Sequence, residues 1–205
     1  MDPKEIVRRG YDKISYNYRA DDGRNMPSDY TEWLAELTPL LPEGAPLLEL
    51  GCGCGVPVGQ ILAPDFDYTG VDISPVQIER ARELVKNGQF FAADMSQLTF
   101  SDETFAAILS FYAIIHLPLD EQPALFDNIQ RWLRPGGYLM ATVGHAGWTG
   151  TEDDWLGAEM YWSHADAATY RQWLTDLNFE IIWTRFIPEG DGGHTLFLAR
   201  KTRKT

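Results

Sequence analysis

A chain of 205 residues, 44% hydrophobic and 23% charged, can bury one sizeable core without staples, and no apolar run reaches the ~20 residues that a membrane helix needs. A formal charge of −13 opposes a phosphate backbone, so nucleic acid is not an expected partner. The charged start Met1-Asp2-Pro3-Lys4-Glu5 is not a secretory leader, and Cys52 and Cys54 stand too close for an ordinary disulfide and without the further ligands of a structural zinc; the expectation is one soluble, cytoplasmic domain with no metal and no membrane contact.

The chain opens on a predicted helix, with Pro3 in its first turn and Ile6, Val7, Tyr11, Ile14 and Tyr18 near one face. Asp21, Asp22, Gly23, Asn25 and Pro27 break it, and a second helix is predicted over 28–37, from Ser28. After Pro39, Pro42, Gly44 and Pro46, the apolar run 47–50 reads as a strand that ends in Gly51-Cys52-Gly53-Cys54-Gly55. A helix over 57–63, a strand over 68–71 ending at Asp72, and a helix over 75–86 follow, the last opened by Ser74 as N-cap and Pro75. Strands at 89–92, 105–110 and 138–143 continue the alternation, with a helix over 120–133 and the turn Arg134-Pro135-Gly136-Gly137 between the last two.

Strand–helix alternation of this kind predicts an α/β, doubly wound, mainly parallel sheet with helices on both faces, binding its ligand at the carboxyl ends of the strands. The end of the chain departs from it: a helix over 166–177, then strands over 180–186 and 195–199 joined by a turn through Pro188, Glu189, Gly190, Asp191, Gly192 and Gly193. So short a turn makes a hairpin, and the last strand should run antiparallel to the rest. The basic tail Arg200-Lys201-Thr202-Arg203-Lys204 reads as a solvated terminus.

The most informative string is Glu49-x-Gly51-x-Gly53-x-Gly55, whose glycines allow a tight turn and close approach of backbone to ligand. A nicotinamide dinucleotide needs G-x-G-x-x-G, a spacing absent here, which counts against an oxidoreductase. Asp72, 21 residues beyond Gly51, stands where a carboxylate can accept from ribose hydroxyls. Asp94, after the third strand, is placed to accept from an adenine amino group, with the Met95 amide beside it.

Leu47 to Gly55, Gly70-Val71-Asp72-Ile73-Ser74, Ala93-Asp94-Met95 and Leu133-Arg134-Pro135-Gly136-Gly137, in this order, resemble the successive motifs of class I S-adenosylmethionine-dependent methyltransferases. The resemblance covers about 11–200 and implies a Rossmann-like, seven-stranded, mostly parallel sheet with an antiparallel last strand. It implies Glu49, Gly51, Gly53, Asp72, Ile73, Asp94, Met95 and Phe111 on the cofactor side, with Gly51 against the methionine moiety. Tyr11-Asp12 and Tyr18 are similar to the family's leading helix, whose aromatics close over the cofactor, although Ser15 stands where a small apolar residue is usual. Aromatic faces attract a sulfonium cation.

Methyl transfer needs alignment of a nucleophile with the carbon–sulfur bond and, for a protonated acceptor, a base. Of His116, His145, His164 and His194, His116 is the expected base, because 111–117 follows the fourth strand at the ligand end of the sheet. Tyr112, His145, Trp148 and Tyr161 are expected on the acceptor side, and His194 reads as structural. The segment 148–162, with Glu152, Asp153, Asp154, Trp155, Met160 and Tyr161, is too long and aromatic for a simple connector; it reads as an acceptor lid for a partly apolar or amine-bearing molecule or, equally, as aromatics packed on the C-terminal helix, with the charges of 152–154 in a solvated turn. The resulting division is helices closing over the cofactor (1–40), a cofactor-binding core (46–143), a lid (144–165), and a terminal helix with hairpin (166–200). Acidic charge and the lack of an Asn-Pro-Pro-Tyr-type string after the fourth strand favour methylation of a small molecule. A module that binds S-adenosylmethionine without turnover is the alternative, and the oligomeric state is not legible.

Overall fold

The computed structural model describes residues 1–21 and 29–202. The breaking residues Asp22, Gly23, Asn25 and Pro27, the helix start at Ser28, and the basic Arg203 and Lys204 lie outside the described residues. Helix α1 (Pro3–Tyr18) is capped by Asp2, whose carboxylate accepts from the Lys4 amide at 3.0 Å, and buries Ile6, Val7, Gly10, Ile14 and Ser15. Helix α2 (Asp29–Leu37) is followed by strand β1 (Pro46–Leu50), helix α3 (Val58–Leu62), strand β2 (Asp67–Asp72), helix α4 (Pro75–Leu84) and strand β3 (Gln89–Ala92). Ser74 caps α4 by accepting from the Gln77 amide.

Strand β4 (Phe105–Ser110), helix α5 (Gln122–Trp132) and strand β5 (Leu133–Gly144) lead into strands β6 (Trp148–Trp155) and β7 (Ala158–His164). Helix α6 (Ala167–Asp176) and strands β8 (Phe179–Glu189) and β9 (Gly192–Lys201) complete the chain. The seven-stranded sheet has the order β3-β2-β1-β4-β5-β9-β8. Pairs β1–β2, β1–β4, β2–β3 and β4–β5 are parallel, and β9 is antiparallel to both β5 and β8. This is the Rossmann-like doubly wound sheet of the sequence reading, with the last strand reversed as expected.

Period-two alternation divides each strand between the two faces. Leu47, Ala107, Leu109, Met140, Leu196 and Leu198 pack under α2, α3 and α4. Their neighbours Leu48, Ile108, Leu139, Ala141, Phe197 and Ala199 pack under α5 and α6, through Phe126, Ile129, Trp132, Tyr170 and Leu174. Each fully buried side chain of this kind contributes about 1.5–3 kcal/mol. The chain winds outward from β1 through β2 to β3, then returns to β4 on the other side. The crevice at this reversal opens where β1 and β4 end, at Gly51 and Phe111.

Three elements differ from the sequence expectation. Arg200 and Lys201, read as part of a solvated terminus, belong to β9, and Lys201 is buried with its ammonium donating to the Leu133 carbonyl at 2.8 Å. Arg134-Pro135-Gly136-Gly137 falls within β5 as an irregularity, since Phe105 pairs with Leu133 but Ala107 pairs with Tyr138; Gly136 supplies the positive φ (83°) that the distortion requires. Segment 148–162 is an antiparallel ribbon, β6–β7, turned at Leu156 and Gly157 with φ of 53° and 96°. Two positive φ values in a two-residue loop match the right-handed twist of the flanking strands. The acidic run 152–154 hid β6, because Asp and Glu are poor strand formers, and here they sit on an exposed ribbon. Among the described residues, no helix is long and apolar enough to cross a membrane.

Candidate functional site

The loops after β1, β2, β3 and β4 converge on a cavity. Gly51 (φ 79°) turns the chain sharply out of β1, and a Cβ there would stand 2.0 Å from the Ala113 Cβ, so the two loops at the crevice meet only because residue 51 has no side chain. Gly53 (φ 53°) leaves open space where a Cβ would be, and its amide donates to the Asp72 carboxylate at 2.9 Å. The other Asp72 oxygen accepts from the Ser74 amide at 2.9 Å. Burial raises the Asp72 pKa to about 6 against these two amides, so at neutral pH the group is a carboxylate with lone pairs left for a ligand.

Asp94 lines the same cavity and accepts from the Ser96 amide at 2.9 Å and the Ser96 hydroxyl at 2.8 Å. Burial raises its pKa, but the hydrogen bonds from Lys4 and Ser96 together outweigh it and leave the carboxyl below its usual range. Lys4 of α1 reaches Asp94 and Glu121, each at 2.8 Å, and so fastens the start of the helix across one end of the cavity. Further along α1, Asp12 accepts from the Ser74 hydroxyl at 2.7 Å, and the Ser15 hydroxyl donates to Gln77 at 2.8 Å. Tyr11 and Tyr18 lie between these anchors with rings 5.4 Å apart, and both line the cavity.

His116 is held from both sides. Its Nδ1 stands 2.7 Å from the Tyr161 carbonyl, which can only accept, so Nδ1 carries the proton and Nε2 accepts from the Tyr11 hydroxyl at 2.9 Å. Burial lowers its pKa to about 4, which keeps the imidazole neutral. A second, open depression of about 1510 Å³ lies beyond. Tyr11, Tyr18, Tyr112 and His116 line both spaces and mark their junction.

The structure brings Tyr11, Tyr18, Gly51, Gly53, Asp72, Ile73, Asp94, Met95, Phe111, Tyr112 and His116 to the first cavity, and Trp148 to the depression. Glu49 does not line the cavity: it is buried in β1, accepts from the Tyr68 hydroxyl, and burial raises its pKa to about 8. His145 lies outside both linings, 2.9 Å from the Thr195 hydroxyl and against Phe186. Tyr161 reaches the site through its backbone carbonyl alone among these contacts. His194, expected to be structural, lines the depression and pairs with Glu189 at 2.9 Å. Sequence reasoning did not select Lys4, Gln77 and Arg19, which no motif marks; Trp155 and Trp162, which fall in the expected lid segment, line the depression. Among the described residues, no three His, Cys, Asp or Glu side chains are arranged to hold a metal ion, and Cys52 and Cys54 are buried free thiols.

A family model described as a methyltransferase domain matches residues 47–137. Over 118 residues the chain is 35% identical to 2-methyl-6-phytyl-1,4-hydroquinone methyltransferase of Synechocystis, covering 55% of this chain and 35% of that protein. Over 172 residues it is 26% identical to tRNA (carboxymethyluridine(34)-5-O)-methyltransferase of Arabidopsis thaliana, covering 83% of this chain and 39% of the other. The chain thus spans well under half the length of these curated relatives. Magnesium protoporphyrin IX methyltransferase of Synechocystis, solved with S-adenosylhomocysteine, superposes with a TM-score of 0.74 over 98% of this chain and 100% of that one. Their identity is 17%, so the likeness is one of fold.

Proposed function

Because this chain carries a class I S-adenosylmethionine-dependent methyltransferase domain, we propose that it transfers a methyl group from S-adenosylmethionine to a small-molecule acceptor, at the junction of its two cavities. The observation that carries this reading is the half-buried Asp72 carboxylate, lining a cavity that adjoins a wider depression through Tyr11, Tyr18, Tyr112 and His116. The residues present fit the cofactor. Asp72 accepts from the ribose hydroxyls, Asp94 and the Met95 amide receive the adenine, and Gly51 and Gly53 leave room for the methionine moiety. Tyr11, Tyr18 and Phe111 supply aromatic faces, and Ile73 an apolar wall. Glu49 acts behind the glycine turn, through Tyr68, rather than on the ligand.

When bound, S-adenosylmethionine supplies a methyl group on a sulfonium sulfur, which leaves as a neutral thioether while the acceptor's lone pair forms the new bond. The chain's own part is orientation, exclusion of water by α1, and reception of the acceptor's proton. His116 presents an unprotonated Nε2 toward the junction, where an incoming O–H or N–H competes with Tyr11 for the same lone pair. Tyr112 borders the acceptor at this point and Trp148 further out, while the Tyr161 carbonyl sets the imidazole tautomer. Within the division proposed above, β6–β7 is the lid. A net charge of −13 and a depression lined, among the described residues, by Arg19 as the one lysine or arginine support a small molecule over nucleic acid.

Calorimetric titration with S-adenosylmethionine and S-adenosylhomocysteine tests the proposal. Binding by the wild type that Asp72→Ala loses is the expected result, and absence of binding by a folded wild type overturns it.

A further inference from the structure

Resting on the methyl-transfer reading, we propose that the acceptor is an aromatic compound bearing a protonated amine at the end remote from the methylated atom, its ring held by the tryptophans of β6–β7 and its ammonium by Glu152 and Glu189. The ribbon is built to show aromatic faces to the depression. Trp148 pairs with His164, Gly150 with Trp162 and Glu152 with Met160, which puts these six residues on one face. Trp148, Glu152, Trp162 and His164 line the depression, while Met160 is buried against Val7 and Ile14 of α1.

Gly150 is the residue that makes this surface. A Cβ there would meet the Trp148 ring at 2.7 Å, so the indole folds along the ribbon only because position 150 has no side chain. The Trp148 and Trp162 rings stand 6.0 Å apart, Trp162 and Trp155 5.5 Å, and Trp155 and Tyr18 5.6 Å. The wall therefore runs from the rim to the junction. Trp148 at its outer end remains 49% exposed, an apolar face that a flat ligand would remove from water.

Charge selects the other half of the ligand. Carboxylates at Glu152 and Glu189 border the depression, the second paired with His194 at 2.9 Å, and among the described residues Arg19 is the one lysine or arginine that lines it. That guanidinium is turned over the Tyr18 ring at 4.1 Å and donates to the Tyr18 carbonyl at 3.0 Å. His116 and His164 are both held toward the neutral form by burial. Excess negative charge beside π faces attracts an organic cation and repels a carboxylate. Glu152 and Glu189 are exposed at the mouth while His116 is buried at the junction, so the cation lies outward and the nucleophile inward.

The test uses protein saturated with S-adenosylhomocysteine, titrated calorimetrically with tyramine, 4-ethylphenol, 4-hydroxyphenylacetate and 2-cyclohexylethylamine. Tyramine should bind about tenfold more tightly than 4-ethylphenol or the cyclohexyl amine, and the acid should not bind detectably. Glu152→Gln should weaken tyramine by about threefold to tenfold with 4-ethylphenol unchanged, and Trp162→Ala should weaken both aromatics by about tenfold. Neither residue lines the cofactor cavity, so S-adenosylhomocysteine affinity should stay constant and report that both variants fold. Equal binding of the acid and tyramine, equal binding of the cyclohexyl amine and tyramine, or no binding of any probe to the saturated protein overturns the proposed class. Failure of S-adenosylhomocysteine itself to bind overturns instead the methyl-transfer reading on which it rests.

Discussion

The two halves of the site are made in different ways. The first cavity is formed by loops that leave four neighbouring parallel strands at one edge of the sheet, so most of its backbone is fixed by the ladder behind it, with Lys4, Val7, Tyr11 and Tyr18 of α1 laid across. The depression beyond is assembled from α1, the exposed β6–β7 ribbon and the β8–β9 turn, elements distant in the chain and attached outside the sheet's parallel core. The first should tolerate little change and bind one ligand; the second should tolerate change and set acceptor choice.

The contrast is most easily broken at Gly51. Gly51→Ala combines a positive φ with a Cβ 2.0 Å from Ala113, and should cost on the order of 2–4 kcal/mol, lower the melting temperature by roughly 5–15 °C and abolish cofactor binding. A melting curve unchanged from wild type would show that the crevice is not rigid. Asp72→Ala should weaken S-adenosylhomocysteine by about 100-fold, since hydrogen bonds to a charged acceptor are lost. In the wild type, affinity should fall as pH drops through about 6, where the Asp72 carboxylate takes up a proton, and Asp72→Asn should remove that dependence.

At the junction, His116→Ala should reduce turnover by about 30-fold while leaving S-adenosylhomocysteine affinity within about threefold. Parallel loss of both would assign His116 to the cofactor wall alone. Glu49 should be visible in stability and not in acceptor choice. The folded chain holds its proton to about pH 8, whereas the unfolded chain releases it near 4.5, so its contribution is complete below pH 4.5 and is lost as pH rises to 8. Glu49→Gln should flatten the decline in denaturation midpoint between pH 5 and 8. The smallest effect is expected at the outer rim, where Trp148→Ala should change acceptor KM by less than about threefold and the melting temperature by about 1 °C.

The sheet was legible because its signals are local. Alternating apolar runs, Ser74-Pro75 at a helix start and the glycine string at 51–55 state their conformations within a few residues, and the carboxylates of Asp72 and Asp94 follow strands whose ends must face the crevice. Glu49 shows the limit of that reasoning: it shares a motif with Gly51, yet strand alternation points its side chain to Tyr68. His145 is expected on the acceptor side because it follows the fifth strand, and His194 reads as structural because it begins the second strand of the hairpin; neither position says which side of a strand faces the depression.

The sequence by itself determined the order of strands and helices of the seven-stranded sheet, its reversed last strand and the glycine turn after β1, because periodicity and backbone freedom are properties of neighbouring residues. Only the tertiary structure decided that Tyr11 meets His116 across 105 residues, that Lys4 reaches Asp94 and Glu121, and that three tryptophans form one wall. Those contacts depend on how α1 and a two-stranded ribbon dock on the sheet. Docking is set by side-chain packing and charge between segments far apart in the chain, which no local pattern encodes.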